Sequence, residues 1–421
     1  MGGWRWVGVL ALATACGSTP GIDAGMDGGR DAGPDGGVDA ALPPPPPSEP
    51  GRHDVEVVET RRIVPSEGLG IEPMHSNNNL DVIRFEGRVY LAWRTAPDHF
   101  AGPETVIHVV SSADEVTWER ETMLALGTDL REPRFLVLDG RLFLYVSVLG
   151  VNRLQFEPMG VRVTERAADG TWTPLEDIGL PGYIAWRTRT ERGTPYMTAY
   201  LGGEHIYLFD GEPLSVDLLT TTDGRRWEPV DPARRTVYMG GGSEADFTLG
   251  DDGSLFGIIR NEAGDALGWG SLVCRAPAGD LAAWSCAIDP KKYDSPLMFW
   301  HDGEAYLIGR RNVTETGHYD LMRYDDLRNT VESQLDYTLR PKRCALWRFV
   351  PEENRIVYVL DLPSGGDTCF GALIAGDSPD ELVVYDYSSD LDDPATERLG
   401  WQRGQLGRTY VYRHVLRFTP R

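Results

Sequence analysis

Apolar and polar residues alternate along this chain in short runs, and the runs come in pairs around a Gly or Asn turn. One hairpin pattern reads FEGRVYLAWR and ends at Arg94. The others read LDGRLFLYVS to Ser147, ERGTPYMTAY to Tyr200, DDGSLFGIIR to Arg260, HDGEAYLIGR to Arg310, and EENRIVYVLD to Asp361. Their turn residues are Gly87, Gly140, Gly193, Gly253, Gly303 and Asn354. Alternation specifies half-buried strands, and hairpins recurring about every 50 residues specify propeller blades. The first four hairpins are each followed by another strand and a polar turn that ends on tryptophan: SSADEVTW at Trp118, RAADGTW at Trp172, TTTDGRRW at Trp227, AGDLAAW at Trp284. The pattern therefore predicts an all-β fold, a six-bladed β-propeller of four-stranded antiparallel blades. The blades are expected to begin near residues 77, 131, 183, 243, 294 and 344. The strand-like ends, 53–64 and 408–418, should complete one sheet together and close the ring, which removes an exposed edge.

The pattern changes at the N-terminus. Residues 1–16 carry Arg5 and an apolar stretch from Val7 to Ala13, too short to span a bilayer, and close on Ala13-Thr14-Ala15-Cys16. This resembles a bacterial lipoprotein signal, which implies lipidation at Cys16; an ordinary secretory signal is the other reading. Either one predicts export. Residues 17–51 place aspartates at 23, 27, 31, 35 and 39 among Gly and Ala, then run from Pro43 to Pro47. Such a segment has almost nothing apolar to bury and is expected to be a disordered tether. It lacks the turn glycine and bidentate glutamate of a calcium loop. The propeller domain is expected over 52–421.

A net charge of -23 excludes nucleic-acid binding, because nothing would neutralise phosphates. Apart from Cys16, four cysteines remain, at 274, 286, 344 and 369, and no Cys/His spacing suggests zinc. Three pairings are possible; 274–286 with 344–369 is the expected one. The chain is read as a monomer without cofactor or metal, attached to the outer membrane or cell surface only through a lipid anchor.

The tryptophan turns resemble the Asp-box of sialidases, six-bladed exo-acting enzymes that remove terminal sialic acid. The boxes here are one residue shorter and carry Val116 or Arg226 where that family has other residues.

Propeller sites sit at one channel mouth, where inner strands begin and second strands end. Seven places after each turn, the hairpins supply Arg94, Tyr200, Arg260, Arg310 and Asp361. The inner-strand starts supply Asp81, Glu132, Arg134, Arg187, Glu244, Asp246 and Asp294. Charges of both signs brought together in one cavity suit a polyhydroxylated or anionic ligand, a glycan. The sialidase resemblance implies a carboxylate clamp of three arginines, an Asp acid, and a Tyr nucleophile served by a Glu. It puts Glu244 in the Glu role, Arg260 and Arg310 in the clamp with Arg94 as the third arginine, Asp98 as acid and Tyr337 as the tyrosine. The chain departs from that pattern at EPMHSNNNLD, which has no Arg-x-Pro, and at KRCALW, which has no Tyr. A second resemblance is to carboxylate-based propellers of the arabinanase, fructosidase and mannoside-phosphorylase type, usually five-bladed. It implies Asp81, Glu132 (in Arg-Glu-Pro-Arg) and Glu244 as the acids. The expected function is an exported, sialidase-like glycoside hydrolase. The alternatives are an inactive glycan- or protein-binding surface module, or a three-carboxylate glycosidase or phosphorylase.

Overall fold

Alternating hairpins can bury their apolar faces only against one another, and they do so in a closed ring. The computed structural model describes residues 41–153, 155–208, 210–261, 263–324 and 327–421; Cys16 and most of the acidic stretch lie outside them. Six antiparallel sheets surround a central axis. Blade 1 runs from its inner strand outward as Ser76–Phe85, Arg88–Ala96, Val106–Ser112 and Glu119–Leu124. The inner hairpins of blades 2 to 5 are Asp129–Leu138 with Arg141–Leu149, Ile184–Glu191 with Thr194–Leu201, Gly242–Leu249 with Leu255–Asn261, and Leu297–His301 with Glu304–Asn312. In blade 3 a further strand, Thr236–Gly240, also pairs with the third strand, Leu214–Thr220.

Blade 6 uses both ends of the ring. Its order is Ala372–Ala375, Glu381–Ser389, Thr409–Pro420 and, outermost, His53–Val64. The predicted closure of the ring by the two terminal strands is therefore observed. The predicted sixth hairpin is not the first of its blade. Lys342–Val350 and Arg355–Asp361 are the third and fourth strands of blade 5, so Asp361 ends an outer strand and leaves the mouth column. An inserted segment, residues 313–341, separates these strands from their own blade's inner hairpin, so in sequence they have the look of a new repeat. In the true sixth hairpin Cys369 N–H donates to Tyr387 O, which puts Tyr387 beside the inner-strand start.

Blades grip one another through aromatic and polar contacts. Trp227 of blade 3 meets Tyr145 of blade 2 edge-on at 5.6 Å, and Trp118 of blade 1 meets Tyr385 of blade 6 at 6.5 Å. These two tryptophans are delivered by turns in which one Asp oxygen accepts two backbone N–H groups. Asp114 binds those of Val116 and Thr117, and Asp223 those of Arg225 and Arg226, all at 2.8 Å. Deeper in the ring, Asp81 accepts the N–H of Phe135 and Asp246 that of Met298, both at 2.7 Å and both from the next blade. Two disulfides form, Cys274–Cys286 within blade 4 and Cys344–Cys369 between blades 5 and 6, as expected.

Two helices were not foreseen. α1 (Leu327–Leu339) lies in the blade 5 insertion and α2 (Trp401–Leu406) in the corresponding connection of blade 6. Both sit at the mouth end. At the edge of the tether, Glu49 donates its N–H to Tyr358 O at 2.8 Å and pairs with Arg355, so this stretch lies along the outer strand of blade 5. Among the described residues no helix is long and apolar enough to cross a membrane.

Candidate functional site

The mouth is built by irregularities in the inner strands. Register slips occur between Asn78 and Leu80, Arg131 and Arg134, Ala185 and Arg187, and Gly242 and Ala245. Asn79 and Glu132 lie within their slips with φ of 41° and 50°, a conformation costly for residues other than glycine. A bulge re-aims a side chain that regular alternation would send elsewhere. The result is a ring of contacts. Asn79 Nδ2 donates to Glu132 Oε1 at 3.0 Å, Arg134 stands 3.5 Å from Glu132 Oε2, and Ser295 N–H donates to Glu244 Oε2 at 2.9 Å. Glu244 Oε1 also accepts from Arg260.

The two glutamates differ in their surroundings. Burial raises the Glu132 carboxyl to about 7, and the nearby charge of Glu244 pushes the same way against Arg134, Arg131 and Asn79. Glu244 accepts from a guanidinium and a backbone N–H, partners that suit an ionised carboxylate. The phenol of Tyr200 is buried and shifted well upward, first by burial and then by Glu244 and Glu132, so it is neutral beside both.

Below this layer the channel is filled. The Arg134 guanidinium lies 4.4 Å from the Phe370 ring centre and 5.1 Å from that of Trp186, and these two rings meet at 5.2 Å. Arg187 donates to Gly371 O and Pro296 O, both at 3.1 Å. Arg134 and Arg187 are thus parts of the plug, and Asp81 and Asp246 are inter-blade latches at its side.

The arginines of the expected clamp have other partners. Arg260 Nε is 3.0 Å from Asp294 Oδ1, and Arg310 Nη1 is 3.2 Å from Asp294 Oδ2. Lys292 Nζ at 3.5 Å and the Tyr337 hydroxyl at 3.1 Å reach that same Oδ2. Burial would raise Asp294, but Arg260, Lys292 and Arg310 outweigh it and hold the carboxyl down to about 2. Arg310 also donates to Thr368 O at 2.7 Å, and Trp401 of α2 lies over it at 4.7 Å. Arg94 is fully buried on Asp129, at 2.9 Å, away from Asp294. The structure thus gathers Arg260, Arg310, Asp294 and Tyr337 into one cluster, and Glu132, Glu244 and Tyr200 into the adjoining one. Asp98 pairs with Arg153 on the rim at 2.8 Å, and Asp361 pairs with Arg311 at 2.6 Å on the outer strand.

Sequence reading missed a third cluster. Asp367 accepts from the Tyr387 hydroxyl at 3.0 Å and Trp401 Nε1 at 2.9 Å on one oxygen, and lies 2.7 Å from His99 Nδ1 on the other. Burial alone would raise Asp367; His99, Arg310 and the Tyr387 hydroxyl reverse this and hold it below the ordinary carboxylate range. The Gly-rich loop DLPSGGDTCF was the one sequence signal pointing here.

Neither a protein-family model nor a curated protein sequence matches the chain. Solved structures do match in fold. A protein of unknown function from Dyadobacter fermentans DSM 18053 superposes with a TM-score of 0.58 at 15% identity, over 86% of this chain and 99% of that one. Trypanosoma rangeli sialidase in complex with sialic acid superposes with a TM-score of 0.53 at 13% identity, over 82% of this chain. A mutant of that sialidase displaying trans-sialidase activity gives 0.53 at 13%. The chain matches about half the length of those sialidase chains, 54% and 58%. At these identities the likeness is one of fold.

Proposed function

We propose that this chain is an exported glycan-processing propeller whose mouth cleaves a glycosidic bond in an uncharged sugar. The observation that carries the reading is the unlike pair Glu132 and Glu244. A carboxyl raised to about 7 can give a proton to a leaving oxygen, while its neighbour accepts from a guanidinium, an arrangement that suits a carboxylate. Environments that separate two acids in this way divide the acid role from that of the nucleophile or base. Asn79 fixes Glu132, and Arg260 and the Ser295 N–H fix Glu244, so neither side chain needs ordering when a ligand arrives.

A sialic-acid reading fits the residues less well. Arg260 and Arg310 already surround Asp294, and Arg94 surrounds Asp129, so a substrate carboxylate would have to displace one of the chain's own. The test is turnover of a panel of aryl glycosides, sialoside and arabinoside included, that is lost in Glu132→Gln and Glu244→Gln.

One observation favours a binding module without turnover. A groove of about 840 Å³ lies at the hairpin-turn end, lined by Arg192, Tyr196, Asp231, Arg234, Asp252 and Asp280, away from the mouth. Glycan-array binding that survives both glutamate changes would support that second reading. Delivery to the surface through a lipid on Cys16 belongs to the proposal as well. It rests on the Ala-Thr-Ala-Cys sequence and is tested by labelled-palmitate incorporation that Cys16→Ser removes.

A further inference from the structure

We infer that His99 and Asp367 form a proton-accepting dyad at the channel mouth, whose imidazole Nε2 takes the proton of a ligand or water hydroxyl. His99 lies in the connection between the second and third strands of blade 1, and Asp367 precedes the inner strand of blade 6, 268 residues away. The carboxylate is buried, whereas the imidazole, in a connection at the mouth end, is 18% exposed. One oxygen of Asp367 is occupied by Tyr387 and Trp401, and the other faces His99 Nδ1 at 2.7 Å. Asn78 Nδ2 is also 3.2 Å from Nδ1, but that amide nitrogen donates to Ser76 Oγ at 3.1 Å. A donor and a buried acceptor thus compete for Nδ1, and the shorter contact with the carboxylate assigns the ring proton to Nδ1. Nε2 is then left with its lone pair.

The loop that carries His99 is held through its backbone. Arg94 donates to Asp98 O at 3.4 Å and Phe100 O at 2.9 Å, and Arg131 donates to His99 O at 3.1 Å. Three consecutive carbonyls are held by two guanidiniums, both anchored on the buried Asp129. Rigid support of this kind serves a side chain whose position matters, because loose placement is what degrades a site. Asp367 of blade 6 is the charged group against the imidazole, the neighbouring Asp98 pairs with Arg153, and Arg94 and Arg131, both on Asp129, hold the loop backbone.

In the reaction the hydroxyl O–H bond breaks, the proton goes to Nε2, and the oxygen keeps the electron pair. Where the ligand is a glycoside, Glu244 first bonds to the anomeric carbon as the glycosidic C–O bond breaks and the leaving oxygen takes the proton of Glu132; the hydroxyl oxygen then bonds to that carbon as its bond to Glu244 breaks, which returns the Glu244 carboxylate. This last step rests on the reading given under Proposed function; the dyad does not.

The test uses diethyl pyrocarbonate, which acylates neutral imidazole nitrogen, on the full exported protein with peptide mass spectrometry as readout. At a pH high enough for the imidazole to be neutral in both proteins, Asp367→Asn should slow carbethoxylation of His99 by roughly five- to tenfold and leave His205 unchanged. An unchanged rate at His99 overturns the dyad. Should Asp367→Asn not fold, ¹⁵N spectra of the wild-type imidazole decide: an Nδ1–H tautomer supports the dyad, and an Nε2–H tautomer overturns it. If a glycoside is turned over, carbethoxylation of His99 should abolish turnover; retained turnover overturns the catalytic role and leaves Glu132 standing. If none is turned over, the glycosidic reading fails, and the modification rate and tautomer still judge the dyad.

Discussion

Arg260 and Asp294 meet with Nε 3.0 Å from Oδ1, and through this contact the chain supplies its own carboxylate to arginines that resemblance would assign to a substrate. Arg310, Lys292 and Tyr337 complete the surround. Removing one partner from such a buried cluster leaves the others uncompensated. Asp294→Ala should therefore lower the stability of unfolding by about 3–5 kcal/mol, measured by chemical denaturation. Asp294→Asn should cost less, because it keeps the shape and an acceptor for Tyr337.

Wild-type protein should show no binding of N-acetylneuraminic acid by calorimetry, since Arg260 and Arg310 are already paired with Asp294. Measurable affinity would mean that Asp294 yields to a ligand carboxylate, and the uncharged-sugar reading would fall.

Stability should decline as pH rises through neutrality. Burial raises Glu132 and Asp386 to about 7, whereas in the unfolded chain they titrate near ordinary carboxylate values. Between those limits the folded state binds more protons than the unfolded one, so stability falls as pH increases. Glu132→Gln and Asp386→Asn should each remove part of that slope. They should raise stability at pH 8 by on the order of 1–3 kcal/mol while changing it little near pH 4. Melting temperatures across pH check this; a slope unaltered by both changes contradicts it.

The disulfides should differ in effect. Cys344–Cys369 joins two blades over 25 residues, and Cys274–Cys286 staples adjacent strands of one blade over 12. Cys344→Ala/Cys369→Ala should cost about 2–4 kcal/mol, and the Cys274→Ala/Cys286→Ala pair less, because the first also holds the seam between neighbouring sheets. Thermal denaturation of the two double variants side by side decides the order.

The inner hairpins of the first five blades were legible because each repeats one short pattern, and register then carried Arg260 and Arg310 to the mouth. Asp361 was misplaced because the outer strands of blade 5 copy that pattern after an insertion. The true sixth inner strand, Ala372–Ala375, is too short to announce itself. Glu132 and Glu244 could be read from their places at strand starts, but the backbone slips that aim them have no sequence signature. His99 with Asp367, and Tyr337 with Asp294, meet only through loop and helix packing between distant residues, which periodicity does not encode.

The central claim is that Glu132 is a protonated acid acting on an uncharged glycoside, and its direct measurement is kcat/KM for a 4-methylumbelliferyl glycoside panel, wild type against Glu132→Gln. The account predicts turnover of at least one neutral glycoside, none of the sialoside, and a loss in Glu132→Gln of roughly 10²–10⁴-fold. Turnover of the sialoside alone, or neutral-glycoside turnover untouched by Glu132→Gln, would contradict it.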